Sequence, residues 1–217
     1  MPESTVHDEA SELLKLLLAA WALRVGNARV VRNLAVRWDA EHPRNGVDPD
    51  VSVLSPPPPG NPDLRSVLTW EEGSSPPLLA IEVVSETNPH KDYVVAPDKY
   101  AACGVSELWI FDPLLSGPPS QGGPHRLQVW RREDGDLVRV YAGAGPVRSQ
   151  VLGAYLVPVA EGRKLRISDD AEGTRMWRTA EENERAEKEA ERAEKEAALA
   201  RIADLEAELA RRESGRG

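Results

Sequence analysis

The run LLAIEVVS, residues 78–85, is apolar apart from Glu82 and the closing Ser85. A short, nearly continuous apolar run bounded by turn residues is the pattern of a strand buried on both faces, where no side has to meet water. A carboxylate in such a strand is costly to bury unless a partner or a metal ion compensates it. Glu82 is therefore both the marker of the fold's centre and the first candidate functional residue.

Upstream, PDVSVL (49–54) reads as a second short strand, entered through Pro49 and carrying Asp50. ARVVRNLAVRWD (28–39) alternates in the manner of a strand. DEASELLKLLLAAWALRV (8–25) places Leu13, Leu14, Leu17, Leu18, Trp21 and Leu23 at approximately helical spacing, with Gly26 as the stop. SPPPPGNPDLRS (55–66) is dense in proline and glycine and is expected to be a surface loop. Downstream, ETNPHKDYVV is irregular. Pro97 then starts a short helix, PDKYAAC (97–103), closed by Gly104.

ELWIFDP (107–113) is the next core strand. RLQVWRRE and DLVRVYA form a hairpin around Asp134-Gly135, a strong local turn signal, and VLGAYLVPVA (151–160) is a last strand or turn packing the edge. The expected fold class is α/β: a core of a helix, three strands, a helix and a strand, an extra β-hairpin, and a long C-terminal helix or coiled coil.

Composition shifts abruptly to Ala, Glu, Lys and Arg near Trp177, so two regions are expected, a domain over 1–170 and a charged helical tail over 171–217. ERAEKEA occurs twice, at 184–190 and 191–197, placing Glu184 and Glu191 four residues before Lys188 and Lys195. An alanine seam (186, 190, 193, 197) and a shifted set (Ala198, Ile202, Leu205, Leu209) are both short. The tail reads equally as a self-associating coiled coil or as a single solvated helix, so a homodimer through the domain or the tail is one expectation.

The 217 residues are 41% hydrophobic and 29% charged, with a net charge of -9. No apolar stretch is long enough for a membrane span, and MPESTVHDEASE has neither the basic nor the apolar segment of a secretion signal, which gives the expectation of a cytoplasmic protein without membrane partners. Cys103 stands alone, which excludes an internal disulfide. His7, His42, His90 and His125 lack the spacing of a zinc hydrolase. The acidic balance is unfavourable for a phosphate-binding surface, so nucleic-acid contact would need a local basic rim. Arg44, His90, Lys91, Arg131, Arg132, Arg163, Lys164 and Arg166 are the candidates.

Asp50 and Glu82 lie on neighbouring predicted strands. Two carboxylates side by side suit a hard cation such as Mg2+ or Mn2+, which takes oxygen ligands and fills its remaining positions with water and substrate phosphate. Lys99, early in the helix after the Glu82 strand, is placed to fold back over the strand ends and stabilise charge on a phosphoryl group. Glu9 and Glu12 on helix one read as solvent-facing, with an accessory acid role as the alternative.

The ordered set PD (49–50), ExxS (82–85), Asp92 and KxxxxGVxExWxxDP (99–113) resembles the Uma-two family, a branch of the PD-(D/E)XK nuclease superfamily, over roughly residues 8–165. The resemblance implies a restriction-endonuclease-like core and a DNA endonuclease with Asp50 and Glu82 as metal ligands and Lys99 as catalytic lysine. It also implies supporting roles for Ser85, Asp92 and Tyr100. In the parent superfamily the lysine lies two residues after the glutamate, where this chain has Val84. The role therefore passes to Lys99, with Lys91 as its competitor. The alternative is a nuclease fold without catalysis, acting as a scaffold or binding protein through its tail.

Overall fold

The computed structural model describes residues 5–59 and 63–214. It divides into two compact units, Met1–Trp177 and Arg178–Gly217. The first opens with α1 (Thr5–Val25), β1 (Arg29–Arg32), β2 (Ala35–Arg37), β3 (Gly46–Val47), β4 (Val51–Leu54), β5 (Ser66–Leu68) and β6 (Leu79–Val83). A single π-helical turn (Lys91–Val95) then runs into α2 (Ala96–Cys103). The unit closes with β7 (Glu107–Phe111), β8 (Leu127–Glu133), β9 (Asp136–Gly143), β10 (Val147–Arg148), β11 (Tyr155–Val159) and β12 (Lys164–Ser168).

A six-stranded sheet in the order β1-β4-β6-β7-β8-β9 organises this unit. Only β6 and β7 run parallel in it; the other neighbours are antiparallel. The parallel pair is the one joined by the π-turn and α2, as a crossover requires. Every residue of β4, β6 and β7 is buried, the two-sided burial expected of the Glu82 strand. On one face Leu14, Leu17 and Leu18 of α1 pack with Ile81, Val83, Trp109 and Phe111, joined by Leu156, Leu165 and Ile167 of the small β10-β11-β12 sheet. On the other, Tyr100 and Cys103 of α2 pack with Ala80, Val84, Leu108 and Ile110, and with Val36, Val47 and Val67 of the β3-β2-β5 sheet.

Two differences from the sequence reading matter. The strand over 28–39 is broken: Asn33 adopts φ 51°, a left-handed conformation that asparagine tolerates better than most residues. β1 and β2 therefore enter different sheets. The segment before Pro97 is also not irregular, because Lys91–Val95 is a π-turn. In a continued α-helix the proline ring would meet the carbonyl of the residue four before it, here Tyr93. A wider turn relieves that clash. The Asp134-Gly135 turn forms as expected, both residues having positive φ (50° and 98°).

In the second unit α3 spans Ala180–Ser214. Thr179 and Glu182 start it reciprocally: the Thr179 N–H donates to Glu182 Oε2 (2.8 Å) and the Glu182 N–H to Thr179 Oγ1 (3.2 Å), a capping box. Pairs four residues apart line the helix, Glu181–Arg185, Glu184–Lys188 and Arg192–Glu196. Leu199, Ile202 and Leu205 are each more than half exposed on it. Among the described residues no helix is long and apolar enough to cross a membrane.

Candidate active site

Asp50 precedes β4 by one residue. The β4–β6 register pairs Val51 with Ile81 and Ser52 with Ala80, so one further step sets Asp50 opposite Glu82. Both are buried, at 8% and 2% exposure. The pairing of β4 ends at Val51, and the Asp50 side chain continues it: Oδ2 accepts the Val83 N–H at 2.7 Å. The same oxygen lies 3.1 Å from His7 Nε2 on α1. Glu82 is held in a similar way, with Oε1 accepting the Tyr100 hydroxyl at 2.8 Å. Each acid thus has one oxygen pinned by a rigid donor. Among the described residues, Asp50 Oδ1 accepts no hydrogen bond, and Glu82 Oε2 faces Lys91 Nζ at 3.7 Å, beyond ordinary hydrogen-bond length.

The π-turn brings in the remaining members. Lys91 Nζ stands 3.8 Å from Asp92 Oδ1 as well as close to Glu82, and Asp92 is itself buried. Burial pushes the Glu82 carboxyl well above the usual range; the Asp50 charge adds to this, and Lys91 opposes it. Burial likewise raises Asp92 to about 6, against the pull of Lys91 and of a main-chain hydrogen bond from Ser85. Burial works against the Lys91 charge, but Glu82, Asp92 and Asp50 together hold its pKa above the ordinary lysine value. These shifts describe a site with too little positive charge: the acids resist ionisation although a lysine lies between two of them.

Asp92 yields a stability prediction for the metal-free protein. Its folded pKa, about 6, lies above the ordinary 3.8, so folding favours the protonated form. The stability it contributes is complete below about pH 4 and is lost as pH rises through about 6, a change on the order of 3 kcal/mol. Chemical denaturation of the chelator-treated protein between pH 4 and 7 should therefore show a steeper loss for wild type than for Asp92→Asn. Parallel profiles would refute the assignment.

A cavity lined by Glu82, Lys91, Lys99 and Tyr100, together with Gly46, Val47 and Asp48, opens on the Glu82 side of the acid pair. Lys99 reaches it from α2 and is exposed. The structure therefore brings Asp50, Glu82, Tyr100, Lys91 and Asp92 together, with Lys99 at the rim. Ser85 supports Asp92 through its main chain, and its hydroxyl is spent on Thr87, 2.8 Å away. The basic rim anticipated from sequence is partly engaged elsewhere. Arg131 bonds Glu107 and the Arg148 carbonyl, and Arg132 bonds the carbonyls of Tyr100, Ala101 and Val105 at the end of α2. Glu12 of α1 is paired with Lys15 and Arg32; the α1 residue that reaches the acids is His7. Its sequence signal was its phase, three and seven residues before the buried Ala10 and Leu14.

The donor set suits a hard divalent cation. Two buried carboxylates each present an oxygen with no hydrogen bond from the described residues, and the excess of negative charge calls for a cation. No group of three or more His, Cys, Asp or Glu side chains among the described residues is arranged to hold a metal ion by itself, so water and substrate would complete the shell.

An α/β domain whose central mixed sheet presents opposed strand-borne carboxylates is of the restriction-endonuclease-like class. The chain belongs to the Uma2 family, described as "Putative restriction endonuclease", whose model matches residues 1–154. Among solved structures it is similar to "a putative nuclease belonging to DUF820" from Anabaena variabilis. That match has a TM-score of 0.50 and 15% identity, over 70% of this chain and 75% of that one, a likeness that speaks for the fold. No curated protein matches the chain.

Proposed function

We propose that this chain is a metal-dependent endonuclease that hydrolyses DNA phosphodiester bonds, with Asp50 and Glu82 holding Mg2+ or Mn2+. The observation that carries the proposal is the pair of buried acids set opposite each other at β4 and β6, each with one oxygen fixed by a donor; among the described residues the other oxygen takes no hydrogen bond at Asp50 and faces only Lys91 Nζ, at 3.7 Å, at Glu82. A bound divalent ion supplies neutralisation of charge on the scissile phosphate and a more acidic water. The protein's share is orientation. Tyr100 and the Val83 N–H fix the two carboxylates, and Asp92 holds Lys91 beside Glu82. Lys91 Nζ is placed to orient the attacking water and to offer an N–H to the phosphoryl oxygens. Lys99, exposed at the rim, is placed to bind a flanking phosphate, a contact that sets affinity.

Supercoiled plasmid incubated with the purified protein and magnesium or manganese should become nicked, and an excess of chelator should stop the reaction. Absence of cleavage in either ion, on both duplex and single-stranded DNA, would overturn the proposal. So would cleavage that chelator leaves untouched.

A further inference from the structure

Of the groups that touch the acids, His7 has no part in the reaction described above. It lies in the first turn of α1, 43 residues from Asp50 in sequence, and is 5% exposed. Its Nε2 lies 3.1 Å from Asp50 Oδ2, the oxygen that also takes the Val83 N–H. A carboxylate has acceptors only, so Nε2 carries the hydrogen and donates it. The His7 main chain is fixed in turn, its carbonyl accepting the Ser11 hydroxyl at 2.9 Å. Two donors from different elements, a strand amide and a helix side chain, therefore converge on one oxygen. A carboxylate so held cannot rotate without breaking both bonds. Oδ2 is thereby withdrawn from other partners, and Oδ1 is the oxygen offered.

We infer that His7 is a positioning residue for Asp50: its Nε2–H fixes the carboxylate so that Oδ1 is presented to the divalent cation. Buried as it is, His7 does not touch substrate. The inference rests on Asp50 being a metal ligand, as proposed above. Partners that orient a ligating carboxylate typically change metal affinity 10–100-fold when removed. Glutamine can place an amide N–H where Nε2 stands, whereas alanine cannot.

The test is Mn2+ titration by calorimetry of wild type, His7→Ala and His7→Gln, with melting temperatures and the KM for DNA measured alongside. The expected result is Mn2+ binding weakened about 10–100-fold in His7→Ala, largely restored in His7→Gln, with KM for DNA unchanged in both. If wild type binds Mn2+ and His7→Ala binds it equally well, the inference is overturned while the nuclease reading stands. It is also overturned if His7→Gln is as weak as His7→Ala and the loss tracks the melting temperature, since His7 then only anchors α1. If wild type binds no Mn2+, the metal-dependent reading itself fails, and this inference with it.

Discussion

Glu82→Gln should lower cleavage by about 10^3-fold or more while the protein stays folded. The neutralisation that a bound cation gives a phosphoryl transition state amounts to several kcal/mol, and each ~1.4 kcal/mol is tenfold in rate. Glutamine keeps the shape of Glu82 and its contact with the Tyr100 hydroxyl but carries no charge to hold the cation. Burial and the Asp50 charge already disfavour ionised Glu82 in the metal-free protein. Removing the charge should therefore leave the melting temperature of the chelated protein equal or higher, as for other buried charges at functional sites. Plasmid-nicking rates and thermal melts on the same preparations check both halves. A Glu82→Gln protein of wild-type activity would remove Glu82 from the chemistry, and one that is inactive because it has unfolded would refute the stability half.

The second large effect separates the two lysines. Lys91→Ala should reduce kcat by about 10^2-fold, the usual scale for a positioned proton-transfer or charge-stabilising group, with KM little changed. Lys99→Ala should act mainly on KM, because an exposed rim ammonium contributes ground-state phosphate binding. The reason is placement: Lys91 Nζ lies within 4 Å of both Glu82 and Asp92, while Lys99 is an exposed lining residue of the cavity, contributed by α2. Steady-state kinetics on a labelled duplex decide it. The reverse pattern, a collapse of kcat in Lys99→Ala alone, would return the catalytic role to Lys99.

The centre of the fold was legible because burial on both faces leaves a strong mark. LLAIEVVS and ELWIF are apolar apart from Glu82, Ser85 and Glu107, and the strands they form, Leu79–Val83 and Glu107–Phe111, are fully buried neighbours. α1 and the 134–135 turn were legible for similarly local reasons, a helical phase and two residues that accept positive φ. The break at Asn33 and the very short β3 and β5 were not. Strands of two or three residues are defined by their partners across the sheet rather than by their own pattern. The π-turn was hidden because its cause, the clash of Pro97 with the preceding turn, fixes local geometry without a periodic signature.

Within the candidate site, Asp50 and Glu82 announced themselves as carboxylates in strand-like runs, and the β4–β6 register sets them opposite each other. Lys91 and His7 were harder to see. The sequence placed Lys91 in an irregular segment, and only the turn geometry carries it to the acids. His7 lies far from Asp50 in sequence, and contacts of that kind depend on how α1 docks across the sheet.

Whether Asp50 and Glu82 share a cation is tested most directly by anomalous diffraction from crystals of this protein soaked in manganese. One peak within bonding distance of Asp50 Oδ1 and Glu82 Oε2, absent from Glu82→Gln crystals, is the predicted result. No peak there, or a peak bound to other side chains while these two acids stay empty, would contradict the account.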